Sequence, residues 1–323
     1  MERIADFLCQ VRFGEPIACR NLVIVPLFGP VTGPSVVTLA EALRRGGAEV
    51  EEVDERGKVG AVRVSNRSIA HLLLLSGEEL VGGKQDRIVN ATVVIGPGQT
   101  LDVPVSCVEH GRWKGDGRGF RAAGRAVTPS IRGANAASLT STLTLSGVWD
   151  VGQMRLWDDV KTMTMRRNAS SVTGAFAAVA ERDAGEVEEF LSAIRPAPGQ
   201  TGMAAWVNGS FVACDLLGRP EAYAEVHDTL VRSCAMEAID RAAKADPAPS
   251  RVFPSLMISD LMETRVIEFR SPGGGTDARL EHSRVRGSAL VTSEGVVHLS
   301  AFPAVSREVP LPVGSVTTRV KRT

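Results

Sequence analysis

The pattern of apolar and polar positions divides the chain into a strand-rich first third, a largely helical middle and a strand-rich last third. Strand-length apolar runs, continuous or alternating, lie at 21–28, 48–53, 59–64, 88–95, 101–105, 264–270, 287–292 and 296–302. Helical spacing of apolar residues lies at 35–45, 149–167, 185–195 and 221–244. Because strands and helices do not alternate regularly, we predict an α+β protein of mostly antiparallel sheets and several packed helices.

Three further segments have local signals. Alternating Ser, Thr and Leu residues over 137–145 predict another strand. Asn208-Gly209 between two apolar runs predicts a type I′ hairpin. The glycines at 273–275, followed by Arg279, fit two alternatives: a nest of backbone N–H groups that binds an anion, or a flexible hairpin loop.

A basic, glycine-rich segment follows the first group of strands. Between Gly111 and Ala134 lie six glycines and six basic residues, against the single acidic residue Asp116. This composition predicts a loop, which contacts phosphate or nucleic acid or else is a solvated linker. We predict that it separates two intimately associated lobes, a strand-rich one over 21–135 and an α+β one over 136–323, with 1–20 as an N-terminal extension.

Composition narrows the class of protein. The 323 residues contain 37 Lys+Arg and 37 Asp+Glu, so the overall charge gives no reason to expect nucleic acid or a membrane surface as partner. Five cysteines without a C-x-x-C pair indicate a reducing compartment, and we expect a cytoplasmic protein. No apolar run approaches the roughly 18 residues of a membrane span. There is no P-loop, and no G-x-G-x-x-G motif opens a helix, so no cofactor is expected.

Candidate site residues concentrate in two clusters of polar groups at strand ends, 77–87 and 106–113. Ends of strands are common places for binding and catalytic groups. A helix from 149 to 167 adds an amide and an aromatic ring on one face. The candidates are Glu79, Lys84, Gln85, Asn90, Cys107, Glu109, Arg112, Trp113, Gln153 and Trp157.

Cys107 is the sharpest candidate for nucleophilic catalysis, which needs a nearby base or cation. Strand alternation would put His110 on the opposite face, so the partner would be Lys84, Arg112 or a residue elsewhere. The alternative is a buried, unreactive thiol in the wall of the site. Cys107 and His110 have a spacing that zinc can use, but no second Cys/His pair completes a tetrahedral set, and we expect no metal.

Glu79 and Glu109 are candidates for general acid–base catalysis if the two strand ends converge. Either one could instead be a permanent partner of Lys84, Arg87 or Arg112, in which case the ion pair is architectural. The residues alone leave both interpretations open.

The strings Gly77-Glu78-Glu79-Leu80-Val81-Gly82-Gly83-Lys84-Gln85-Asp86-Arg87 and Val103-Pro104-Val105-Ser106-Cys107-Val108-Glu109-His110-Gly111-Arg112-Trp113 closely resemble the signature of a prokaryotic family. That family, whose function is unassigned, is named for its association with ADP-ribosylglycohydrolases and rhodanese-phosphatase-superfamily proteins. Residues 153–160 and 202–238 also resemble it, and the resemblance extends over roughly 18–305.

The resemblance implies a phosphate-bearing small molecule derived from ADP-ribose, NAD or another nucleotide, and an ADP-ribosylglycohydrolase-type partner protein. Two functions follow from it. The first is an enzyme, hydrolytic or group-transferring, in which Glu79 or Glu109 is the general base, Cys107 is a further catalytic candidate, and Trp113 or Trp157 packs on the ligand. The second is a non-catalytic sensor or accessory module that binds such a ligand beside partner enzymes.

Overall fold

The computed structural model describes residues 2–115, 119–241 and 253–304, and the architecture is α+β as predicted. The helices within these ranges are α1 Glu2–Leu8, α2 Leu39–Arg44, α3 Pro129–Ser146, α4 Gln153–Arg166, α5 Ala177–Ala193, α6 Pro220–Asp240 and α7 Pro254–Met262. None of the helices in the described part of the chain is long and apolar enough to cross a membrane.

The strands of the first half are β1 Arg12–Phe13, β2 Ile17–Cys19, β3 Leu22–Phe28, β4 Val36–Thr38, β5 Ala48–Glu52, β6 Ala61–Asn66, β7 His71–Leu74, β8 Glu78–Gly82, β9 Arg87–Val89, β10 Val93–Ile95, β11 Thr100–Cys107 and β12 Phe120–Ala126. Those of the second half are β13 Gly202–Val207, β14 Ser210–Leu217, β15 Arg265–Arg270, β16 Thr276–Glu281, β17 Val285–Thr292 and β18 Gly295–Pro303.

The strands form three sheets. The largest has nine strands in the order β1-β3-β13-β14-β18-β17-β16-β15, with β2 also paired to β3. A six-stranded sheet has the order β12-β8-β9-β11-β6-β5, and a three-stranded sheet the order β10-β7-β4. Among the described strands only the β4–β7 pair is parallel. Because β3 pairs with β13, the predicted N-terminal lobe contributes to the large sheet, and the division into lobes stays a prediction.

Apolar side chains alternate between the two faces of the large sheet and build a core on each. Ile24 of β3 and Ala205 of β13 belong to the core that contains residues of α3 to α6. Val25, next along β3, belongs to the core formed with α1 and α7. A third core lies within the two smaller sheets, centred on residues such as Val64 and Val103. Ile88 of β9 belongs to the helix-containing core, so the six-stranded sheet shares that core with the large sheet.

The strand predicted over 137–145 is wrong, because these residues form the second half of α3. Thr140 and Thr144 donate their hydroxyl hydrogens to the carbonyl groups of residues four positions earlier, which satisfies them within a helix. Leu139 and Leu143, four residues apart, face the core. The alternation of polar and apolar residues was therefore a helical face misread as a strand.

The loop predicted between Gly111 and Ala134 is wrong over most of its length, since β12 and the start of α3 occupy it. Two of its basic residues are used internally: Arg125 pairs with Glu79, and the fully buried Arg132 pairs with Asp215. Residues 116–118 lie outside the described part of the chain.

Helix predictions were right in place but not in extent. Helix α5 begins at Ala177, eight residues before the predicted start at 185. Helix α6 covers Pro220–Asp240, and the predicted end at 244 lies outside the described residues.

Asn208 and Gly209 both have positive φ, 50° and 78°, which confirms the type I′ hairpin between β13 and β14. The 273–275 segment is no anion nest, because the amide of Gly274 donates to Val94 and Arg279 pairs with Asp277.

Candidate functional site

Pairing of β9 with β11 brings the two polar clusters of the sequence together. In the register of these strands Cys107 lies opposite Arg87, and Val105 opposite Val89. Strand β8 pairs with the other edge of β9. The strand ends around 84–87 and 107–112 therefore converge, a condition that the sequence alone left open.

Gln85, Asp86, Glu109 and Arg112 form a cluster that we call the arginine clasp. The Arg112 guanidinium donates to Glu109 Oε2 at 2.7 Å and to Asp86 Oδ1 at 2.9 Å. Glu109 also accepts hydrogen bonds from the Thr173 hydroxyl at 2.8 Å and from the Asp86 amide at 3.2 Å. Gln85 Nε2 donates to the Glu109 carbonyl at 2.8 Å. The clasp therefore ties the end of β11 to the β8–β9 turn and to the segment before α5.

The electrostatics of the clasp keep its central carboxylate ionised. Burial acts to raise the pKa of Glu109, yet the hydrogen bonds from Arg112, Thr173 and the Asp86 amide hold that pKa below its ordinary value. The pKa of Asp86 is raised, chiefly by burial, which outweighs the Gly82 amide and Arg112. Both oxygens of Glu109 are occupied, which is the arrangement expected of an architectural ion pair.

A second cluster, which we call the thiol site, consists of Cys107, Arg87, Glu52, Val59 and Trp113. Arg87 Nη1 contacts the Cys107 sulfur and also donates to the Val59 carbonyl at 3.1 Å. Arg87 Nη2 faces Glu52 Oε1 across 3.7 Å, and the Trp113 ring centroid lies 5.5 Å from Arg87 Cζ. Cys107 and Arg87 are both fully buried.

The thiol site has unused hydrogen-bonding capacity. Nε and Nη2 of Arg87 and Oε2 of Glu52 are buried atoms without a hydrogen-bond partner among the described residues. Buried polar groups are nearly always paired, so such atoms need an explanation. Burial raises the pKa of Cys107, and Arg87 acts in the opposite direction. The cation that contacts the sulfur is Arg87, not Lys84 or Arg112, the two partners named from the sequence.

Gln153 fastens the helical layer to the thiol site. It is the first residue of α4, and its side-chain amide makes two hydrogen bonds of 2.8 Å with the main chain of Cys107. Oε1 accepts a hydrogen bond from the Cys107 amide, and Nε2 donates one to the Cys107 carbonyl. The side chain of Gln153 thus pairs with the last residue of β11 as the main chain of a neighbouring strand would, and the Cys107 N–H and C=O groups both have a partner.

Glu79 and Glu109 have different ion-pair partners. It is fully buried on β8, and its Oε2 accepts a hydrogen bond of 2.5 Å from Arg125 Nε on β12. Burial raises the pKa of Glu79 to about 7, and Arg125 opposes this. The two carboxylates predicted as an acid–base pair are therefore held in two different ion pairs, which is the architectural alternative.

Asn90 lies at a cavity of about 570 Å³, which we call the Asn90 cavity. Asn90 is 3% exposed, and its Nδ2 donates to the Trp149 carbonyl at 3.0 Å. Its Oδ1 is a buried acceptor without a partner among the described residues. Residues that line the cavity include Lys58, Gly60, Val105, Val148, Trp149 and Asp150.

Lys84 and Trp157 lie in two further grooves. Lys84 lines a groove of about 630 Å³ together with the five carboxylates of Glu49, Glu51, Glu52, Asp54 and Glu55, whose charge disfavours phosphate. The Trp157 ring packs edge-on against His110 with centroids 4.4 Å apart, in a groove of about 420 Å³ that Lys161 also lines. The ten predicted residues are therefore distributed over several places rather than gathered in one.

Sequence reasoning missed Arg87, Glu52 and Trp149 as site residues. Arg87 was considered only as an ion-pair partner, although it ends the Lys-Gln-x-Arg string that carries the resemblance. Glu52 lies in an acidic stretch of the sequence, 49–55, that carries no catalytic signal, yet it turns inward and accepts a hydrogen bond from the Lys84 amide at 2.8 Å. Nothing in the sequence marked Trp149. Within the described residues no group of three His, Cys, Asp or Glu side chains could hold a metal ion.

Comparisons with known proteins give the family. Neither the curated proteins nor the solved structures contain a significant match to the chain. A model of the ARPP-1 domain, described as the ARG and Rhodanese-Phosphatase-superfamily-associated Protein domain, matches residues 10–302 and confirms the resemblance seen in the two polar strings. Its name implies association with ADP-ribosylglycohydrolase and rhodanese-phosphatase proteins. The chain therefore belongs to the ARPP-1 family.

Proposed function

We propose that this protein binds a phosphate-bearing, nucleotide-derived small molecule in the Asn90 cavity and acts as a non-catalytic sensor or accessory module. The observation that carries the proposal is the buried, unpartnered Oδ1 of Asn90, a residue that lines a cavity of about 570 Å³. That volume lies in the range of small-molecule sites, roughly 300–1,000 Å³.

The orientation of the Asn90 amide follows from its neighbour. A carbonyl oxygen can only accept, so the contact of 3.0 Å with the Trp149 carbonyl requires that Nδ2, not Oδ1, face it. Oδ1 is then left as an acceptor that needs an N–H or O–H donor. Leaving such a group buried and unpaired costs about 1–3 kcal/mol, which a ligand that donates to it would recover.

The rest of the lining fits the ligand class. Trp149 presents an aromatic side chain for a flat heterocycle, whose amide or amino group would donate to Asn90. Lys58 also lines the cavity, and its ammonium group makes no hydrogen bond or ion pair within the described ranges, so it is available for a phosphate. Asp102 at the cavity wall is already paired with Arg63 at 2.9 Å. The association with ADP-ribosylglycohydrolases in the family name supports an ADP-ribose-type ligand.

Binding is favoured over turnover because the predicted catalytic groups are occupied. Glu109 accepts three side-chain and amide hydrogen bonds within the arginine clasp, and Glu79 pairs with Arg125. A general base must reach the proton that it removes. Neither carboxylate lines the Asn90 cavity.

Isothermal titration calorimetry with ADP-ribose, NAD and AMP tests the proposal. Wild-type protein should bind at least one of them, and Asn90→Ala or Lys58→Ala should weaken binding by about tenfold or more, the equivalent of about 1.4 kcal/mol. The matched control is Asn66→Ala, since Asn66 is equally buried but its amide donates to three carbonyl groups. Binding that persists in Asn90→Ala, or steady hydrolysis of the ligand by wild-type protein, would overturn the proposal.

A further inference from the structure

We propose that Cys107 is a reversible oxidation site for small hydroperoxides, with Arg87 as the group that binds the sulfenate formed on its sulfur. The proposal does not require a ligand in the Asn90 cavity, although Lys58 and Gly60 of the covering segment also line that cavity. It rests on three features: a buried thiol, donors without a hydrogen-bond partner on the buried arginine beside it, and a largely exposed segment, 54–60, that lies against the sulfur.

The donors beside the sulfur are the first observation. Arg87 is fully buried, its Nη1 contacts Cys107, and its Nε and Nη2 have no hydrogen-bond partner in the described part of the chain. Glu52, 3.7 Å from Nη2, is too far for a direct hydrogen bond. The guanidinium that contacts the sulfur therefore keeps two nitrogen atoms, Nε and Nη2, whose N–H groups have no hydrogen-bond partner in the described part of the chain, and an oxygen added to the sulfur would need such donors.

The cover over the sulfur is the second observation. Cys107 Sγ lies 4.0 Å from the Val59 carbonyl, in the connection between β5 and β6. Every residue from 54 to 60 except Gly57 is exposed, and the Val59 side chain is 45% exposed. A segment with so few buried apolar contacts opens at low free-energy cost, unlike the strands around it. Small oxidants can therefore reach the sulfur by local opening alone.

Local opening also changes the balance of effects that sets the pKa of the Cys107 thiol. In the closed form burial raises the pKa of Cys107, while Arg87 lowers it. Opening admits water and weakens the effect of burial, but Arg87 stays beside the sulfur on the paired strand. The thiolate, which is the reactive form, is then favoured at the moment when the sulfur is accessible.

The reaction balances with a hydroperoxide as the only co-reactant. The Cys107 thiolate attacks the terminal oxygen of the hydroperoxide, an S–O bond forms and the O–O bond breaks. Sulfur loses two electrons, and the leaving oxygen takes up the thiol proton to give an alcohol, or water from hydrogen peroxide. The sulfenic acid then loses its own proton, and the N–H groups of Arg87 donate to the sulfenate oxygen. An external thiol reverses the change: its sulfur bonds to the Cys107 sulfur of the sulfenic acid and water leaves. A second external thiol then attacks the mixed disulfide, which frees the Cys107 thiol and leaves the two external thiols oxidised to a disulfide.

Three of the four other cysteines of the chain are internal controls. Cys9 is exposed, whereas Cys214 and Cys234 are buried as fully as Cys107. For Cys214 and Cys234 burial raises the thiol pKa and Asp215 raises it further. Reactivity that follows exposure alone would favour Cys9, and reactivity that follows unfolding would affect all three buried thiols together.

The test is hydrogen peroxide titration of the full chain, trapping with dimedone and peptide mass spectrometry. We expect a Cys107 adduct about tenfold faster than a Cys9 adduct, and none at Cys214 or Cys234. Glu52→Gln, which removes a carboxylate that raises the Cys107 pKa, should accelerate Cys107 labelling several-fold, and Arg87→Lys should slow it.

Two results would overturn the proposal. One is a Cys9 adduct without a Cys107 adduct. The other is labelling of Cys107, Cys214 and Cys234 at one common rate, which would mean that global unfolding exposes them. If Arg87→Lys fails to fold, the folded Glu52→Gln variant still decides, because an unchanged rate there contradicts the role of charge at the sulfur.

Discussion

Arg87 and Arg112 lie at the two ends of the same polar region, yet their surroundings differ. Arg112 donates to two carboxylates and to backbone carbonyl groups, and its side chain is 28% exposed. Arg87 is fully buried, and two of its three nitrogen atoms have no hydrogen-bond partner among the described residues. The first arrangement holds loops together, whereas the second leaves buried capacity unused. The two arginines therefore differ in how completely they are paired, and for Arg87 the incomplete pairing lies beside a thiol.

Removal of Arg112 should have the largest effect on stability. Arg112→Ala leaves the Asp86 and Glu109 carboxylates buried without their cation, which should lower the free energy of unfolding by about 3–5 kcal/mol. Chemical denaturation measures the loss. Arg12→Ala, at an exposed position on β1, is the control and should change stability by less than about 0.5 kcal/mol. A loss equal to that of the control would show that the clasp is not structural.

A carboxylate without an arginine should show the opposite pH behaviour to Glu109. Glu78 is buried, accepts from the Leu75 amide, and burial raises its pKa to about 7. Between its ordinary value of 4.5 and about 7 the folded protein binds more protons than the unfolded one, so stability falls as pH rises. The loss is at most about 3 kcal/mol. Denaturation from pH 4.5 to 8 should show a smaller decline in Glu78→Gln, and an equal decline would contradict the shift.

Loss of the amide that bridges α4 to β11 should have an intermediate effect. Gln153→Ala removes both hydrogen bonds to the Cys107 main chain, and we expect a loss of about 2 kcal/mol in thermal or chemical denaturation. Met154→Ala, the next residue and 67% exposed, should be nearly neutral. Equal effects in the two variants would mean that solvent replaces the bridge.

Two buried asparagines should differ from each other by about 1–2 kcal/mol. Asn66→Ala removes an amide whose two N–H groups are shared among three carbonyl oxygens, and should cost about 2–3 kcal/mol. Asn90→Ala removes one hydrogen bond but also an unpaired acceptor, and should cost less than about 1 kcal/mol. Differential scanning calorimetry can resolve the two. A larger loss in Asn90→Ala would imply that Oδ1 is satisfied by water and is not free for a ligand.

The sequence predicted the fold class and the Asn208-Gly209 hairpin, because local periodicity and turn chemistry determine these features. It left open whether the two polar clusters converge, which depends on strand pairing. It did not predict α3, since hydroxyl groups that bond within a helix produce the same alternation as a strand. It also could not reveal the Arg132–Asp215 pair, whose members are 83 residues apart and meet only through tertiary packing. For the site, residue types indicated where polar groups lie, but only geometry distinguished the paired Arg112 from the incompletely paired Arg87.

Hydrogen–deuterium exchange with and without ADP-ribose tests the central claim most directly. The account predicts slower exchange in peptides that cover 56–62, 88–92 and 147–151, which surround the Asn90 cavity, and no change in 109–115, which contains part of the arginine clasp. Asn90→Ala should abolish the protection while Asn66→Ala retains it. Protection confined to the clasp, or unchanged in Asn90→Ala, would contradict the account.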